Sequence, residues 1–147
     1  ITVRANNIYG IRQYPEKLIS SSIYNLINNK KINIHGDGKN VRYYLSAIDF
    51  ARALIVIVTK KDRGIYNIGS YYFEKNINIA KLICKYLRKD PSKFIKFIKD
   101  RPYNDKRYSV SSKKIRRLGW KPKRSLIKDL PMIIDWYKKN YKIFKSK

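Results

Sequence analysis

Residues 1–19, ITVRANNIYGIRQYPEKLI, decide how this chain is read. Residues 1–5 are β-branched and extended and run into Asn6, Asn7 and Gly10, the pattern of a buried strand that ends in a loop. Pro15 and Glu16 then suit a helix start, because proline fits the first turn and an acid favours the positive end of the helix dipole. The expected helix runs 13 to 15 residues, to Asn28, with Leu18, Ile19, Ile23, Leu26 and Ile27 on its apolar face. A parallel strand covered on both faces needs neighbours. No nearby segment matches residues 1–5, so the rest of their sheet is expected before residue 1.

Working outward, KINIH (31–35), the Gly36-Asp37-Gly38 turn and the extended run from Asn40 to Leu45 read as a hairpin-like excursion. Asp49 opens a helix whose stretch Ala51 to Val58 is apolar nearly all round and is expected to be buried. IYNI (65–68) is a short strand stopped by Gly69, Asn78 to Arg88 an amphipathic helix, and Phe94 to Ile98 a half-exposed strand. Ser111 or Ser112 is expected to cap a short helix ending at Gly119, and Ser125 a last helix that reaches Asn140, kinked or restarted at Pro131. With no repeat or low-complexity linker, the 147 residues form one unit of mixed α/β structure.

Hydrophobic residues make up 44% of the chain and aromatics 14%, enough for a real core. Thirty-five basic against 10 acidic residues give a formal charge of +25, which favours nonspecific contact with polyanions but names no function. Lys, Ile and Asn share A/T-rich codons, so base composition alone also accounts for the enrichment. The basic residues are richest at the end, where Lys138, Lys139, Lys142, Lys145 and Lys147 form a solvated helix end and tail. The single cysteine, Cys84, lies in the helical run IAKLICKYL, so a disulfide scaffold is excluded and a small buried side chain in a reducing, cytoplasmic setting is expected. No apolar run approaches the roughly 18 residues of a membrane span.

For chemistry, NNIYGIRQYPEKLI joins two amides at a strand end to Lys17 and a helix start, an arrangement suited to phosphate oxygens. The alternative is that Asn6 and Asn7 cap the strand end and Lys17 is solvated. Arg42 follows a glycine turn and Arg101 precedes Pro102; two planar forks of donors on separate loops could clamp a diphosphate, or be exposed surface arginines. Aromatics interleaved with lysine leave a basic nucleic-acid-binding module as a competing class, although no RNP, KH or helix-turn-helix signature occurs.

Five segments in order, RANNIYGIRQYPEKLI (4–19), IHGDGKNVRYYL (34–45), YNIG (66–69), DRPYNDKRY (100–108) and LGWKP (118–122), resemble the C-terminal portion of the nucleoside-diphosphate-glucose 4,6-dehydratases, which are extended short-chain dehydrogenase/reductases. The resemblance implies an α/β fold, with residues 1–12 ending the Rossmann sheet, 13–147 forming mainly the nucleotide-sugar-binding domain, and the Rossmann N-terminal half missing. IHGDG and the RPxND pattern are similar to the UDP-glucose enzymes of rhamnose synthesis, whereas dTDP-glucose enzymes typically carry His where this chain has Asn104.

The same resemblance implies that Asn7 bonds the sugar or diphosphate, that Lys17 and the Leu18 backbone flank the phosphates, and that Asn33 and His35 line the base. Arg42 and Arg101 would grip the diphosphate, Asn104 the sugar or phosphate edge, and Asn76 the ribose or a phosphate. His35 alternatively ends a strand with no ligand. The family commonly reads RDWLYVxD where this chain reads RYYLSAID (42–49), so Tyr43 and Ser46 replace residues that orient the arginine and pack the loop. No glycine-rich dinucleotide fingerprint and no Tyr-xxx-Lys pair occurs. The family's NAD site and its catalytic Tyr, Lys, Asp and Glu lie in the N-terminal part, so no catalytic residue is expected here. A separate N-terminal half chain would be the partner; an inactive remnant is the remaining alternative.

Overall fold

The computed structural model describes residues 1–60 and 63–144; Lys145 and Lys147 of the basic tail lie outside the described residues. The elements in order are β1 (Thr2–Ala5), β2 (Asn7–Tyr9), α1 (Leu18–Ile27), β3 (Ile32–His35), β4 (Val41–Ser46), α2 (Ala47–Lys60), β5 (Ile65–Ile68), β6 (Phe73–Lys75) and α3 (Asn76–Tyr86). After them come α4 (Pro91–Phe94), β7 (Ile95–Ile98), β8 (Arg107–Tyr108), α5 (Lys113–Arg117), α6 (Leu126–Asn140) and a 3-10 turn at Tyr141–Phe144.

The expected mixed α/β architecture is present, and three sheets build it. β1 pairs in parallel with β5, β3 in parallel with β7, and β4 is the hub of the third. The first half of β4 pairs with β6 and β8, and its second half with β2. Two cores flank this frame. In the larger, α1, α3 and α6 bury Ile23, Leu26, Ile83, Leu130 and Tyr137 against Ile32 and Ile34 of β3. In the smaller, Trp120, Ile115 and Ile57 close over Tyr66, Ile68 and Leu45. Each fully buried Ile or Leu contributes about 1.5–3 kcal/mol of transfer free energy.

Several expectations are corrected. Residues 1–5 do have a partner, since Thr2 to Ala5 align with Ile65 to Ile68, although the described residues supply no second one. The glycine turn does not close a hairpin. Gly36 (φ +59°) and Gly38 (φ +71°) turn the chain a corner, after which β3 pairs with β7 and β4 joins another sheet. A side chain at Gly38 would strike Ile34 and Ile77, so that corner packs tightly. α1 starts at Leu18, not Pro15, because residues 15–17 form a turn in which Glu16 N–H donates to Tyr14.

α2 buries one face only. Asp49, Ala53 and Ile57 point inward at helical spacing, while Ile55 (64% exposed) and Val58 (68% exposed) face outward. The helix packs inward on β4 and β2, and that inner contact covers a single stripe. Ser112 and Ser125 sit at helix starts without capping through their side chains; the Ser112 hydroxyl instead accepts from Gly69 N–H at 2.7 Å. α6 runs unbroken through Pro131, and Cys84 is buried in α3 as expected, burial pushing its thiol pKa up.

Candidate functional site

β3 reads Ile-Asn-Ile-His, and period-two alternation sends Ile32 and Ile34 into the core while Asn33 and His35 face away from it. That outer face forms one wall of a cavity of about 450 Å³. β2 contributes Asn7, β4 contributes Arg42, and the start of α3 contributes Asn76. Lys17 and Leu18 form the entrance to α1, and the loop after β7 carries Arg101 and Asn104. All nine residues singled out from the sequence therefore line the same cavity, despite a spread of 97 positions between Asn7 and Asn104.

The loop that bears Arg101 and Asn104 is tied down at both ends. Gly36 N–H donates to Ile98 O at 3.0 Å, and His35 Nδ1 lies 3.3 Å from Lys99 O. At the far end Asn40 Nδ2 donates to Asp105 O at 3.1 Å and Val41 N–H to Lys106 O at 2.8 Å. Arg42 is fixed by three acceptors: Nη1 donates to Asp105 O (2.6 Å) and Val41 O (2.9 Å), and Nη2 to Asn104 Oδ1 (2.7 Å). Arg101 behaves differently. Its guanidinium is exposed and makes no hydrogen bond or ion pair with the described residues, so its donors are open to a ligand.

Charge in the cavity is positive. Lys17, Arg42 and Arg101 stand against one lining carboxylate, Glu16, which is itself 3.3 Å from Lys17 Nζ at an exposed pair. Lys17 is the N-cap residue of α1, and no side chain caps the helix there. The first-turn N–H groups thus add to the positive potential, as at helix starts that accept anions. Asp100 lies outside the lining, and hydrogen bonds from Asn104 and then from Arg101 N–H hold its carboxyl below the usual carboxylate range. Among the described residues no group of His, Cys, Asp and Glu could hold a metal ion. No helix among them is long and apolar enough to cross a membrane.

Sequence reasoning missed Gln13, Glu16, Ser21, Asn25 and Tyr44 as lining residues. Part of that was visible. Lys17, Ser21 and Asn25 follow one another at i, i+4, i+8, a polar stripe along α1 opposite its apolar face. Gln13 could not be foreseen, because its place depends on Nε2 donating to Ile8 O at 2.9 Å. Nor could Tyr44, whose hydroxyl reaches Asn76 Oδ1 at 3.4 Å and whose pKa burial drives upward.

Residues 1–69 match the NAD dependent epimerase/dehydratase family. A trifunctional UDP-glucose 4,6-dehydratase/UDP-4-keto-6-deoxy-D-glucose 3,5-epimerase/UDP-4-keto-L-rhamnose-reductase of Arabidopsis thaliana is 41% identical over 141 residues, covering 95% of this chain and 21% of the relative. The dTDP-D-glucose 4,6-dehydratase of Mus musculus is 36% identical over 152 residues, covering 99% of this chain and 43% of its own. Among solved structures, a dTDP-glucose 4,6-dehydratase from Streptomyces venezuelae with NAD bound superposes with a TM-score of 0.91 at 32% identity, over 97% of this chain and 45% of that one. The Bacillus anthracis dTDP-glucose 4,6-dehydratase in complex with NAD gives 0.88 at 34%, over 97% and 46%. The chain thus spans less than half the length of each of these proteins.

Proposed function

We propose, from a chain that is homologous to the nucleoside-diphosphate-glucose 4,6-dehydratases, that it forms the nucleotide-sugar-binding part of an NAD-dependent hydro-lyase. Its substrate would be UDP-glucose, or dTDP-glucose, in deoxysugar or rhamnose biosynthesis. One observation carries the reading: residues from six separate segments converge on a single cationic cavity, at an uncapped helix start, with one arginine pinned and another free. A diphosphate needs such a site, since two negative phosphates are best met by planar forks of donors and backbone N–H groups from different directions.

In this reading Arg42 and Arg101 hold the diphosphate, and Lys17 with the Leu18 backbone flanks it. Asn33 and His35 line the base, and Asn7, Asn76 and Asn104 reach the sugar, ribose or phosphate edges. Asn104 and the Ile34 to Gly38 segment favour UDP over dTDP. The residues present lack the glycine fingerprint of a dinucleotide site: none of the six glycines lies in a strand-to-helix phosphate cradle. NAD would accordingly be held mainly by a segment other than these residues, and no catalytic step is assigned to them.

Two features support residues 1–12 as the end of a larger sheet. Among the described residues β1 is parallel to β5 and paired on one side only, and the outer face of α2 carries exposed Ile55 and Val58. A segment or separate chain bearing the N-terminal half is the partner this geometry would accept. The free, buried Cys84 suits a cytoplasmic setting.

Titration calorimetry of the purified chain with UDP, dTDP and random-sequence RNA, beside a turnover assay with UDP-glucose and NAD, tests the reading. Measurable UDP binding without turnover is expected. RNA binding that falls steeply with salt, with no nucleotide-diphosphate binding, would move the function to the basic surface.

A further inference from the structure

The three acceptors around Arg42 differ in kind. Two are backbone carbonyls, that of Val41 in β4 and that of Asp105, which also accepts from Asn40 Nδ2, and the third is a side-chain amide free to point either way. A primary amide has an acceptor at one end and donors at the other, so a flipped Asn104 would present N–H groups to a guanidinium that has only donors. What decides the orientation is a carboxylate on the far side: Asp100 Oδ1 accepts from Asn104 Nδ2 at 2.7 Å. The same oxygen accepts from Arg101 N–H at 2.8 Å, which anchors the carboxylate to its own turn.

Asp100 is also seated by its neighbour across the β3 and β7 pair. A Cβ at Gly36 would stand 2.9 Å from Asp100 Oδ2 and 3.1 Å from its Cγ, so the carboxylate occupies space that only a glycine leaves open.

We infer that Asp100 is a positioning residue for Arg42, acting through the Asn104 amide to aim the guanidinium into the cavity; this rests on the diphosphate-binding role proposed for Arg42. The amide between them matters chemically. A carboxylate in direct contact with Arg42 would form an ion pair and blunt its attraction for phosphate, whereas a neutral relay orients the fork and leaves its charge available. Tyr43 stands where the family's acid follows the arginine, and its hydroxyl is engaged by Arg107 instead. Arg42 here is thus oriented from the neighbouring loop.

The test reads Arg42 directly in the full chain without ligand. Phenylglyoxal modification of Arg42 and of Arg52, a control arginine bonded to Asp49 at 2.9 Å, is followed by peptide mass. Asp100→Ala and Asn104→Ala are each expected to speed modification of Arg42 about three-fold or more, with the double variant no faster than Asn104→Ala, because members of one relay are not additive. Arg52 should be unaffected, and Asp100→Asn, which keeps an acceptor, should restore the slow rate.

In calorimetry with UDP, Asp100→Ala should weaken binding about 5- to 20-fold and Asp100→Asn by no more than about three-fold. An unchanged Arg42 rate in Asp100→Ala overturns the inference, as do additive effects or an equal rise at Arg52. Absence of UDP binding in the unmodified chain would defeat the proposed function instead, and the Arg42 rates would still decide the relay.

Discussion

Replacing Arg101 by alanine should weaken UDP binding while leaving the fold as stable as before, and the structure supplies both halves of that expectation. The guanidinium sits at the cavity, exposed and without a partner among the described residues, so truncation removes nothing that holds the free protein together. Exposed changes of this kind stay within about 0.5 kcal/mol. For a domain of this size that is a shift in Tm of about 2 °C or less. If the side chain donates to a phosphate, the lost charged hydrogen bonds are worth about 1.5–3 kcal/mol, a rise in Kd of about 10- to 150-fold.

Arg42→Ala provides the contrast. That side chain already bonds Asp105 O and Asn104 Oδ1 across 63 and 62 positions, so its loss should cost binding and also about 1–3 kcal/mol of stability. Calorimetry with UDP and thermal unfolding of both variants separate the two effects. A Kd within two-fold of the unmodified chain for Arg101→Ala would refute the assignment of Arg101 as a ligand group. A fall in Tm equal to that of Arg42→Ala would refute the reading of Arg101 as structurally free.

Gly69→Ala should destabilise by about 1–3 kcal/mol in urea unfolding, because the new Cβ would overlap Asn6 Oδ1 and lie 3.0 Å from Val110. Combining it with Asn6→Ala should recover most of that loss, since the buried Asn6 amide is without a hydrogen-bond partner and its truncation removes the shorter of the two overlaps, leaving only the Val110 contact at 3.0 Å. Tyr9→Phe removes the 3.0 Å donor to Asp129, a buried carboxylate also held by Arg124, and should lower the urea midpoint by the equivalent of about 1.5–3 kcal/mol. At alkaline pH, burial pushes Tyr137 up to about 12, so the native state keeps a proton that the unfolded chain releases above about 10. Stability should therefore hold below pH 10 and decline between about 10 and 12, and a flat denaturation midpoint across that window would contradict the burial argument. At the acid end, Asp100 titrates below the usual carboxylate range, so its contribution is present at neutral pH and should disappear as pH falls through and below about 4.

Local chemistry made much of this molecule legible. The helices at Asn76–Tyr86 and Leu126–Asn140 follow from apolar residues at 3.6 spacing, and the strand at Ile65–Ile68 ends where Gly69 stops it. That the nine candidate residues share one cavity was legible because motif order preserves which side chains a fold brings together. The turn at 36–38 was also read correctly as a turn, but its consequence was not. A Gly-Asp-Gly corner bends the chain without naming the strand that follows as partner, and β3 pairs with β7, 63 residues away, in preference to β4.

What the sequence by itself determined is thus most of the longer helices and strands but not β2, β6, α4 or β8, the alternation that sends Asn33 and His35 outward, and the cationic character of the site. Only the tertiary structure decided that Ile32 aligns with Ile95, that α2 buries Ala53 but exposes Ile55 and Val58, that Tyr9 reaches Asp129 across 120 positions, and that Asn104 and Asp105 aim Arg42. Periodicity and turn preference act over a few residues, whereas strand pairing, burial and buried hydrogen bonds are settled by which distant surfaces exclude water together.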